Sequence, residues 1–161
     1  MMQEKKLRKK IKILLITFMT GLILSGLTAF PIETELEIAC RNLNLLPGFM
    51  RDWINDVYHA VKTTNDNFPY LSYGTDWLAF AHLVIAVAFW GPLKDPVKNI
   101  WIVQFGIISC FMVLALAMIA GQIRNIPFYW RLIDCSFGLI GISLLFPCYN
   151  AILHLRKLQS R

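Results

Sequence analysis

Four apolar blocks limit what this chain can become. Ile13 to Phe30, Trp77 to Leu93, Asn99 to Ile123 and Cys135 to Leu155 hold 18, 17, 25 and 21 residues without an Asp, Glu, Lys or Arg. About 20 apolar residues in a helix cross the roughly 30 Å hydrocarbon layer of a bilayer. Lipid cannot hydrogen-bond a bare backbone, so blocks that span must be helical. They take up about half of the 161 residues and leave too little polar sequence to wrap them in water. Only 16% of the residues are charged, against about 25% in an average soluble domain, and the mean hydropathy is +0.53. A disordered chain, a collagen-like chain and a small disulfide-stapled secreted domain are excluded on the same grounds.

Aromatic residues mark the ends of the blocks. Tyr and Trp favour the membrane–water interface because their rings are apolar with one polar tip. Trp77 and Trp90 bracket the second block, Trp101 opens the third, and Tyr129 and Trp130 open the fourth. The expected spans are 13–30, 76–92, 100–121 and 130–154. The fold expected is therefore an all-α integral membrane protein, a bundle of four transmembrane helices in a single domain.

Charge sets the expected orientation. The amino-terminal tail, the loop after Gly91 and the carboxyl tail together hold eleven Lys and Arg, and the other side holds five. The positive-inside rule then puts both termini in the cytoplasm, as in a bacterial cytoplasmic membrane. Eight of the ten acidic residues fall on the opposite side. The pI near 9.3 thus reflects topology, and no nucleic-acid partner is expected. The partner that is expected is the lipid bilayer itself. The first block resembles a signal-peptide core, but Leu27 and Ala29 make a poor cleavage site. Thr17, Gly21, Ser25 and Ala29 recur every four residues. They give that helix a small-residue face suited to close association in a homo- or hetero-oligomer. A retained span is expected.

Residues 31–75 turn acidic and polar and read as a two-helix extracytoplasmic cap between the first two spans. Pro31 suits a first helical turn, and Glu33, Glu35 and Glu37 complement its positive dipole end. Ile32, Leu36, Ala39, Cys40 and Leu43 form one apolar stripe. After Pro47 and Gly48, a second runs through Phe49, Met50, Trp53, Ile54, Val57, Tyr58 and Val61. Thr63 to Gly74 reads as a loop. Two such helices cannot make a core alone, so their apolar faces need the bundle, the lipid interface or a partner.

Ionisable residues at membrane depth are functional candidates by default. Asp134 lies about one turn inside Trp130, and Arg131, three residues before it, is placed to pair with it. His82 sits about 7–8 Å beyond Trp77 by helix rise. Asp76 opens the same helix, and His59 belongs to the cap. Asp76, His82, Arg131, Asp134 and His59 form the candidate ligand-binding cluster. Gln104 is expected to bond across helices, Gly138 and Gly141 to allow close helix contact, and Pro147 to kink the last span. Cys40, Cys110, Cys135 and Cys148 include no C-x-x-C pair, and a Cys40–Cys135 disulfide is left open. No nucleotide, hydrolase or zinc motif occurs, so no catalytic residue, metal or cofactor is assigned.

Three functions remain. The first is a non-enzymatic subunit, adaptor or assembly factor that acts by helix association. The second is a binder or carrier of a lipid-like or small amphipathic ligand in an outer-half cavity. The third is a membrane enzyme using His82 or His59 with a carboxylate.

Overall fold

The computed structural model describes residues 2–43 and 46–160. It is helical, with no strand among the described residues. Among the described residues seven α-helices follow in order: α1 (Met2–Ala29), α2 (Ile32–Arg41), α3 (Gly48–Asn67), α4 (Pro69–Ala88), α5 (Trp90–Lys94), α6 (Ile100–Ile123) and α7 (Phe128–Gln159). Four stretches are long and apolar enough to cross a membrane: α1, α4 with α5, α6 and α7. Their outer surfaces are apolar as well, with Leu24, Val87, Met112, Leu116 and Phe137 among the exposed side chains.

Proline and asparagine punctuate these helices. The residue before a proline is biased away from helical geometry by the ring's Cδ, and proline itself suits a first helical position. Phe68 accordingly leaves the helix at φ −138° and ψ 55°, and α4 starts at Pro69. The expected loop from Thr63 to Gly74 therefore shrinks to Phe68 alone. Thr64 and Asn67 turn back onto the carbonyls of Ala60 and Thr63, so polar side chains that suggested a loop extend α3 instead. At the end of α6, Asn125 takes a left-handed φ of 55°. Ile126 N–H then donates to Gly121 C=O, and Asn125 N–H to Gln122 C=O. That pairing satisfies two terminal carbonyls, and Pro127 follows to open α7. The Asn99 amide closes the loop between α5 and α6 by donating to the carbonyls of Gly91 and Asp95, at 3.2 and 2.9 Å.

The chain divides into two compact units. One contains residues up to 20 and from 87 onward, and the other contains 21–86. In the first unit, α6 and α7 pack along their length. Glycines make this possible. A Cβ on Gly138 would stand 2.7 Å from the Cys110 carbonyl oxygen, and one on Gly141 would collide with the Cys110 Sγ. Gly106 holds the rings and methyls of Phe89 and Leu145 just as tightly. Phe89, Val103, Leu145, Ile152 and Leu155 are fully buried, and Phe18 of α1 stacks on Phe89 with ring centroids 4.8 Å apart. Gln104 donates to the Tyr149 hydroxyl across α6 and α7 at 3.2 Å, as expected of a polar side chain that must find a partner in an apolar setting. All four cysteines are free thiols.

In the second unit, the close approach is at Gly26. A Cβ there would lie 2.8 Å from the Ala79 carbonyl oxygen and 3.1 Å from the His82 Cβ. Gly21 is open instead, and a Cβ there would meet nothing within 4 Å. α2 and α3 pack against each other, and Leu43 and Ile54 are buried. Phe49, at the first turn of α3, stays exposed.

These contacts order the glycines by tolerance. Gly138→Ala should destabilise by about 1–3 kcal/mol, because a rigid backbone carbonyl blocks the new methyl. Gly21→Ala should stabilise by about 0.5–1 kcal/mol, because alanine loses less backbone freedom in a helix. Thermal unfolding of both variants in mild detergent checks the order.

Candidate functional site

Four chain segments of the second unit surround a cavity of about 550 Å³. The end of α1 and the start of α2 contribute Ala29 to Thr34. α3 contributes Ala60, Val61, Thr64 and Asn65, and α4 contributes Ser72, Thr75 and Asp76. The geometry follows from the short connections. Pro31 turns the chain from α1 into α2 within two residues, and Phe68 turns it from α3 into α4 within one. Both turns bring the ends of their helices to one place.

A hydrogen-bonded chain lines part of the wall. The Asn65 amide donates to Glu33 Oε2 at 2.5 Å, and the Ser72 hydroxyl donates to Asn65 Oδ1. Lys62 Nζ stands 3.6 Å from Glu33 Oε1 and 3.8 Å from Asp66 Oδ2. The Asp66 and Glu33 carboxylates hold the Lys62 ammonium above the ordinary lysine value of 10.5. This chain links α2, α3 and α4, which sequence periodicity cannot reveal. Phe30, Tyr73, Asp76, Trp77 and Phe80 line a smaller, largely apolar groove of about 230 Å³.

Of the five candidates read from the sequence, Asp76 alone lines the cavity. His82 lies further along α4, and a protonated Nδ1 donates to the Leu78 carbonyl 2.9 Å away. His59 is exposed on α3 with its ring beside Tyr58. Among the described residues, neither imidazole is hydrogen-bonded to a carboxylate.

Arg131 and Asp134 belong to the other unit, and the pairing expected between them does not form. Helical side chains lean towards the amino-terminal end of their helix. Arg131 accordingly lies back over the Phe128 ring, 5.3 Å from its centroid, with its stem against Gly121. That direction leads away from Asp134, one turn further on. Among the described residues, no three of His, Cys, Asp and Glu come together as metal ligands do.

Sequence reasoning missed Glu33, Asn65 and Ser72 as neighbours, because the last two sat in a presumed loop. It also missed the α4 face made by Tyr73, Asp76, Trp77 and Phe80. The signal was present as a spacing of i, i+3, i+4 and i+7, but it begins before the apolar block does. In comparisons with known proteins, no family model, curated protein or solved structure matches the chain.

The Lys62 ion pairs have a testable pH signature. A lysine whose folded value is raised contributes stability in full below its unfolded value, and loses it as pH rises through the folded one. Wild type should therefore lose more thermal stability than Lys62→Met between about pH 8 and about pH 11.5. Unfolding followed by circular dichroism at the two pH values checks it. Equal losses would show that the ion pairs add nothing.

Proposed function

We propose that this chain is a four-span integral membrane protein that binds a small amphipathic, lipid-like ligand without transforming it. In this reading α1, α4 with α5, α6 and α7 form a transmembrane bundle. Both termini are cytoplasmic, and α2 and α3 form the extracytoplasmic cap. The Lys and Arg asymmetry supports the orientation. The single observation that supports ligand binding is the cavity of about 550 Å³, within the size range of small-molecule sites. Its floor at Ala29 and Phe30 adjoins an apolar span, and its walls offer hydroxyl, amide and carboxylate groups. An amphiphile meets both kinds of surface there at once.

Native mass spectrometry of the protein released from mild detergent tests this. Wild type should retain an amphiphile of defined mass, and Thr64→Trp, which fills the cavity, should lose it. Identical spectra from the two proteins would remove the reading.

A second reading, a subunit or assembly factor acting by helix association, draws on α1. Thr17 and Gly21 are exposed, and Gly21 has no neighbour within 4 Å, so another helix can approach that face closely. Gly21→Leu should abolish self-association or co-purification with a partner while leaving the fold intact. Crosslinking in native membranes measures this, and an unchanged pattern would count against it.

A further inference from the structure

Asp76 stands where the polar cavity and the aromatic groove meet, since it lines both. It shares one face of α4 with Tyr73, Trp77 and Phe80. Tyr73 meets Trp77 edge-on with centroids 6.0 Å apart, and Trp77 meets Phe80 at 6.2 Å. All three rings keep at least half of their surface open, Trp77 57% of it, so each remains available to a ligand. The other carboxylate of the cavity, Glu33, is engaged by Lys62 and Asn65. Asp76 is half-buried and, among the described residues, has no ion pair or hydrogen bond from a side chain. No Lys, Arg or His lines either the cavity or the groove.

A free carboxylate beside aromatic rings attracts cations twice over. The charge acts directly, and the rings add the negative potential of their faces. An alkylated ammonium profits most, because it is weakly hydrated and gives up little on leaving water. An anionic head would meet the Asp76 carboxylate, while the nearby Lys62 ammonium is held by Glu33 and Asp66. The groove beside Asp76 is lined mainly by apolar side chains, a surface suited to a hydrocarbon tail.

We propose that Asp76, Tyr73, Trp77 and Phe80 form a site for an organic ammonium ion bearing an apolar tail, with its head on Asp76 and its tail in the groove. The proposal rests on the reading of this region as a ligand site and adds the charge class of the ligand.

The test uses the full chain in an uncharged maltoside detergent and three probes of one tail length: hexyltrimethylammonium, hexanol and hexanesulfonate. Tryptophan fluorescence and the thermal midpoint report binding. Hexyltrimethylammonium should half-saturate at a concentration about tenfold below hexanol. Hexanesulfonate should have no effect, and added salt should weaken the ammonium response. Asp76→Asn should abolish the tenfold preference, and Asp76→Glu should keep most of it. Trp77→Leu, which leaves the carboxylate in place, should weaken ammonium binding several-fold, and unchanged affinity there would remove the rings from the site. Equal responses to hexyltrimethylammonium and hexanol would overturn the ammonium assignment and leave the ligand-site reading standing. Silence towards all three probes would overturn both.

Discussion

Helices with apolar surfaces all round gain little from exchanging lipid contact for contact with one another. What favours their association is close van der Waals packing, and that requires backbones to approach. The contacts of Gly138 and Gly141 with Cys110, and of Gly26 with Ala79, are approaches of this kind. Each brings one helix so near another that a methyl group would strike the neighbour's carbonyl or thiol. The rest of each unit is arranged around such a crossing. Phe89 and Leu145 are fully buried against Gly106, one turn from Cys110, and His82 lies beside Gly26.

The cavity depends on a different constraint, the short turns at Pro31 and Phe68. Proline disfavours helical geometry in the residue before it and suits a first helical turn, so the chain turns here with almost no loop. Polar groups near the ends of α2, α3 and α4 then converge. A protein of this composition has few polar side chains to spend, and several of them meet here. Glu33, Asn65 and Ser72 satisfy one another, while Asp76 is left facing the rings of its own helix.

Much of the helical content was legible in the sequence because it follows from local rules. The four apolar blocks lie in helices, since an apolar run longer than a strand has few other ways to pair its backbone. Gly138, Gly141 and Gln104 also act as their residue types suggested. The Thr63–Gly74 loop was misjudged because threonine and asparagine suit either a loop or a helix end that bonds back on itself. The Arg131–Asp134 pair failed because spacing specifies a shared face but not the direction in which a long side chain leans. Spacing by fours marks Thr17, Gly21, Ser25 and Ala29 as a face for association, and the close approach within the chain is at Gly26, off that register.

By itself the sequence determined that the four apolar blocks are helical, and it carries the prolines and asparagines at which helices end. These follow from composition and from interactions within about one helical turn. Only the tertiary structure decided which glycine meets a neighbouring backbone, and that Glu33 and Asn65 touch across thirty-two residues of chain. It also decided that Asp76, alone of the five ionisable candidates, opens onto a cavity. Such outcomes depend on which helix ends are brought together, and no periodicity along a single chain encodes that pairing.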